Sequence, residues 1–99
     1  MEPNPIRGEH ALQIDGEMYL VCLTLGALAQ IESSLGLDDL ADLSARMAKL
    51  SANDVLHILA ALLCGGGNAI PLEKLRTSKL DPAEVARVIS NAFTLAGEA

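Results

Sequence analysis

The dipeptide Asp15-Gly16, set between two runs rich in apolar residues, is the strongest single constraint on this chain. A two-residue type I′ turn needs positive φ at both central positions, and Asp-Gly is among the few pairs that accept it. The turn predicts a hairpin over residues 9–23 and fixes its register, with Ile14 opposite Glu17, Gln13 opposite Met18 and Leu12 opposite Tyr19. One face then carries Leu12, Ile14, Tyr19, Val21 and Leu23, the natural core side. The other carries Ala11, Met18, Leu20 and Cys22, which is unusually apolar for a face left in water. A lone hairpin is marginal in water. Either helices wrap both faces, or the exposed edge serves as a template for another chain.

After residue 23 the periodicity becomes helical. Leu25, Leu28, Ile31 and Leu35 fall on one face of a helix over about 25–35, with Thr24 as N-cap and Gly36 as the left-handed residue that ends it. Gly26 costs that helix about 1 kcal/mol relative to Ala. It is read as a close approach by another backbone, because one glycine supplies no nest of N–H donors for a phosphate. A second helix, 38–49, has Asp38 as cap, Asp39 in its first turn, a stripe of Leu40, Leu43, Met47 and Leu50, and an Asp42–Arg46 pair at i,i+4. A third, 51–64, opens on a Ser51/Asp54 capping box. Val55, Leu56, Ile58, Leu59, Leu62 and Leu63 cover most of its circumference, so it is either central or partly an interface.

Gly65-Gly66-Gly67 and Asn68 read as a mobile connection, since a phosphate loop needs a preceding strand and a following helix. Pro71 begins a short helix to residue 79 with Leu72 and Leu75 inward. Lys74, Arg76 and Lys79 form a basic cluster there, either a solvated face or a surface for the acidic half of a second copy. Asp81-Pro82-Ala83-Glu84 starts the last helix, 82–96, whose apolar face runs through Val85, Val88 or Ile89, Ala92, Phe93 and Ala96 to a stop at Gly97. Residues 1–8, with Pro3 and Pro5, are expected to be a flexible tail before a single domain spanning 9–97. The fold class is α+β: an N-terminal β-hairpin followed by a small bundle of about four helices, mostly helical.

Composition narrows the core. The chain is 51% hydrophobic but has one Phe, one Tyr and no Trp, so its interior is Leu, Ala, Val and Ile. Eight acids (Glu2, Glu9, Asp15, Glu17, Glu32, Asp38, Asp39, Asp42) and one base, Arg7, precede Arg46, and the remainder is near neutral. A net charge of −6 disfavours nucleic acid as a partner, because phosphate contacts dominate that affinity. No apolar run reaches the roughly 20 residues of a membrane span. No signal peptide is visible, so a cytoplasmic location and reduced Cys22 and Cys64 are expected.

Reactive constellations are weak. His10, Cys22, His57 and Cys64 are good zinc ligand types without zinc-site spacing. There is no G-x-S-x-G motif, and neither histidine has an identifiable carboxylate partner. Leu37-Asp38-Asp39-Leu40 is similar to the attachment site of acyl carrier proteins, but Asp39 stands where the modified serine belongs. A helix-turn-helix drawn from the third helix through residue 79 has too long a turn and too few bases. The reading is a non-enzymatic protein with no metal and no cofactor, working by interaction.

Leu23-Thr24-Leu25-Gly26-Ala27-Leu28, then Ile31-Glu32, Leu35-Gly36 and Leu40, with Arg7-Gly8 upstream of the hairpin, resembles the small proteins of the gene transfer agent and phage tail family. Members are named variously as tail tube proteins or tail assembly chaperones. The resemblance implies a protein of a tail-like particle. With only two strands expected, the chaperone role is favoured, with tape measure protein as client. The alternatives are a structural tube component of the particle, or a cytosolic regulator that homodimerises through the hairpin edge. Met18, Tyr19, Leu20 and Cys22 on the hairpin, and Leu56 and Leu63 on the third helix, are the candidate partner-binding residues, each competing with a core role.

Overall fold

The computed structural model describes residues 9–97; the expected tail at 1–8 lies outside the described residues. Strands β1 (Glu9–Ile14) and β2 (Glu17–Cys22) form the antiparallel hairpin in the expected register, with Ile14 opposite Glu17 and Leu12 opposite Tyr19. Asp15 and Gly16 have φ of 51° and 83°, as the type I′ turn demands. Leu12, Ile14 and Val21 are buried on the core side. The turn is clamped to the segment before the last helix: Asp15 N–H donates to the Lys79 carbonyl at 3.1 Å, and Lys79 N–H donates to Asp15 Oδ1 at 2.6 Å.

Five helices follow: α1 (Leu25–Leu35), α2 (Leu40–Met47), α3 (Ala52–Gly65), α4 (Leu72–Thr77) and α5 (Pro82–Gly97). The chain is α+β, mostly helical. Central α3 packs on β2, α1, α4 and α5, while α5 also packs on β1. Ile58, Leu59, Leu62 and Leu63 of α3 are fully buried, which explains its nearly all-apolar circumference.

Cap chemistry sets several helix boundaries. Thr24 Oγ1 accepts from Ala27 N–H at 3.0 Å, and Gly36 closes α1 in the left-handed region at φ 69°. Of the expected α1 face, Ile31 is buried and Leu28 and Leu35 pack half-buried against the core, but Leu25 does not join them. Ala27 and Ile31 are its buried residues and Leu25 is 84% exposed. Leu25 is the first helical residue, and a side chain there leans toward the helix N-terminus, beyond the surface that α1 applies to α3. The expected backbone approach at Gly26 is also absent: a Cβ there would meet nothing nearer than Thr24 Oγ1 at 3.9 Å.

Helix α2 begins later than expected. Asp39, not Asp38, is its N-cap, accepting from Asp42 N–H at 2.9 Å, and Asp42 Oδ2 accepts from Asp38 N–H at 3.2 Å. Arg46 does not pair with Asp42. It reaches across to Asp54 on α3.

The close approach foreseen at Gly26 occurs instead at the end of α3. A Cβ on Gly65 would overlap the Cys22 carbonyl oxygen, and one on Gly66 would overlap the Leu20 carbonyl oxygen. Asn68 Nδ2 then donates to that same Leu20 oxygen at 2.8 Å. Gly65 and Gly66 are therefore a packed junction rather than a mobile link. These two are glycines because two backbones meet where no side chain fits, whereas Gly67 takes the left-handed region at φ 91°. The junction also covers the outward-facing edge of β2 at the Leu20 and Cys22 carbonyls. Outward-facing Gln13 N–H of β1 donates to Glu84 Oε1 of α5 at 3.1 Å, so both hairpin edges are engaged within the chain.

Candidate functional site

An open apolar groove of about 1290 Å³ lies between α2, α3, α4 and α5. Its walls include Leu43 and Met47 of α2, Val55 and Leu56 of α3, and Ala86 and Phe93 of α5. The groove follows from helix lengths. Eight-residue α2 and six-residue α4 span about 12 and 9 Å, whereas sixteen-residue α5 spans about 24 Å, so the short helices leave the apolar flanks of α3 and α5 uncovered.

Both short helices are fixed to the first turn of α3. Arg46 donates from Nε to Asp54 Oδ2 at 2.9 Å and from Nη2 to Asp54 Oδ1 at 3.0 Å. Asp54 Oδ2 also accepts from Ser51 N–H at 3.1 Å, and Ser51 Oγ accepts from Asp54 N–H at 3.1 Å, completing the capping box. The hydrogen bond from Arg46, then that from the Ser51 backbone, hold the Asp54 carboxyl below its ordinary pKa. The same pairing raises Arg46. On the other side, Arg76 Nη2 donates to Asn53 Oδ1 at 3.0 Å. Arg76 is the one charged residue among the described groove-lining residues.

The sequence-predicted partner residues do not converge on one surface. Leu56 lines the groove and is half-buried. Leu63 is fully buried in the core, and Cys22 is 8% exposed beneath the glycine junction. Met18, 51% exposed, and half-buried Leu20 lie on the second hairpin face. Half-buried Tyr19 donates its hydroxyl to Glu17 Oε2 at 3.1 Å. Ala86 and Ser90, exposed on α5 and lining the groove, were not singled out in sequence. Only the all-round apolar pattern of α3 signalled that such a surface exists.

Among the described residues, no group of three or more His, Cys, Asp or Glu side chains is placed to hold a metal ion. Cys22 and Cys64 are not joined in a disulfide. No helix among the described residues is long and apolar enough to cross a membrane. The groove lining is mainly aliphatic, and its polar members are Arg76, Ser78 and Ser90. Such a lining suits contact with another apolar surface.

Fold and groove together define a small hairpin-plus-helices protein with a broad apolar contact surface. More particularly, a family model described as "Phage tail tube protein, GTA-gp10" matches residues 7–99, and the chain belongs to that family of phage and gene transfer agent tail proteins. Neither the curated proteins nor the solved structures contain a match.

Proposed function

We propose that this protein is a component of the tail tube of a phage-like or gene transfer agent particle, acting through protein–protein contact. The carrying observation is the family match over residues 7–99, whose description names the tail tube. The test is to purify particles from cells expressing a tagged copy and quantify it. The tube reading expects the protein in particles at a level comparable with other repeated tail subunits. Its absence from intact particles would overturn that reading.

A second reading, a tail assembly chaperone, draws on the geometry. The described sheet has two strands, both with engaged edges, which gives little β-surface for building a tube wall. The apolar groove instead has the character of a helix-receiving surface, with Leu56 among its lining residues. A chaperone would hold helical stretches of tape measure protein in the producing cell's cytoplasm and be missing from finished particles. Recovery of a long helical tail protein with the tagged chain from cells, combined with its absence from particles, selects this reading.

A further inference from the structure

Two surfaces of this chain are unusual, one for its shape and one for its lack of charge. One is the groove, whose volume of about 1290 Å³ exceeds the roughly 300–1,000 Å³ of ordinary small-molecule sites and suits a helix face better. The other is the outward face of α1. Thr24, Leu25, Gly26, Ala29, Gln30 and Ser33 are all exposed there, and none is charged. Exposed helix faces ordinarily carry charge, whereas depletion of charge marks the centre of interfaces. Leu25 projects from this face at 84% exposure. Helix α1 contributes no residue to the groove, so knob and groove belong to different parts of the molecule.

Charge follows the same division. The net acidity lies before Arg46, where Glu32 is on α1 and Asp38 and Asp39 follow it. Arg76 lines the groove, and near the lining residues in sequence three lysines, Lys49, Lys74 and Lys79, outnumber two acids, Glu73 and Asp81. Arg46 is already neutralised by Asp54, and Glu84 is committed to Gln13. Each hairpin edge has an outward backbone group engaged internally, Gln13 N–H on β1 and the Leu20 carbonyl on β2, whereas the groove lies open.

We propose that the groove receives α1 of a second copy of this chain. Leu25 enters beside Leu56 and Phe93, and the acids flanking α1 face Arg76 and its basic neighbours. Donor and acceptor patches differ and each copy carries both. The contact is therefore heterologous, and it propagates head to tail until a ring closes or a filament extends. This inference stands independently of the tail assignment.

The test is sedimentation of the purified chain over a range of concentrations, with two variants at exposed positions that the fold does not need. Leu25→Lys removes the knob and brings a cation toward Arg76; Ala86→Glu obstructs the groove. Circular dichroism confirms that each is folded. The wild type is expected to form species larger than dimers as concentration rises, and each variant alone to remain monomeric. Mixing the two is expected to give dimers and nothing larger, since one intact knob meets one intact groove. A wild type that stays monomeric throughout overturns the proposal. So do a symmetric dimer unaffected by Leu25→Lys, and a variant mixture that fails to combine. The assay uses this chain alone, so its failure leaves the tail reading untouched, while absence from particles does not bear on self-docking.

Discussion

Arg46 of α2 grips Asp54 of α3 through two parallel hydrogen bonds, of 2.9 and 3.0 Å, while Asp54 simultaneously caps its own helix. One carboxylate thereby starts α3 and fixes the angle of the helix that forms one groove wall. Asp54→Ala is expected to destabilise the protein; the lost hydrogen bond from the Ser51 N–H alone is worth about 1 kcal/mol. The Arg46 side chain is 38% exposed, so solvent screens the ionic share. The pH dependence has a definite sign. Asp54 is depressed in the folded state, so its contribution is fully present above the ordinary carboxylate pKa and is lost as pH falls through the lower folded value. Thermal melts of wild type and Asp54→Ala should differ most near neutrality and converge in acid. A pH-independent gap would contradict this account.

His10 gives a second, separate pH effect. Its Nε2 is buried without a hydrogen-bond partner among the described residues, and burial, followed by the nearby Arg87 charge, lowers its pKa. Stability from neutral His10 is present above about pH 6.5 and declines as pH falls through the folded value. His10→Leu should flatten the stability profile just below neutrality without altering the acid limb due to Asp54. An unchanged profile in that window would count against the burial argument.

The glycines separate close approach from conformation. Gly66→Ala, whose Cβ would overlap the Leu20 carbonyl, should cost about 1–3 kcal/mol and loosen the hairpin from α3. Gly26→Ala has open space around it in the first turn of α1 and should stabilise by roughly 0.5–1 kcal/mol. Chemical denaturation of both variants checks this. Equal effects would mean that the junction has been misread.

Glu84 ties α5 to β1 through Gln13 N–H. Glu84→Ala should leave the fold intact but accelerate hydrogen exchange at the Gln13 amide, with little change at Leu12, which faces β2. Unaltered exchange at Gln13 would show that the bond does not protect the edge.

The hairpin could be read from sequence because turn chemistry fixes it: Asp15 and Gly16 demand one turn type, and that turn sets every cross-strand pair. The capping box of α3 and the start of α5 were equally local. What escaped depends on neighbours. Leu25 shares the period of Leu28 and Ile31, and only the placement of α1 on α3 shows that Ala27 is inside instead. Gly26 and Gly65 are chemically identical, and only assembly reveals which meets a backbone. Arg46 had an eligible partner at Asp42, yet Asp54 wins because it offers both oxygens across the α2–α3 corner. The groove was least legible of all. It arises from two helices being too short, and its exposed wall residues Ala86 and Ser90 carry no pattern of their own.

We propose the groove as the working surface of this tail protein. The most direct measurement is the yield of tailed particles from producing cells that lack this gene and carry either the wild-type copy or Ala86→Glu. The variant alters an exposed groove residue and should fold and accumulate normally, as melting and immunoblotting would verify. Loss of tailed particles with the folded variant present is the expected result. Normal yields of complete particles would contradict the claim.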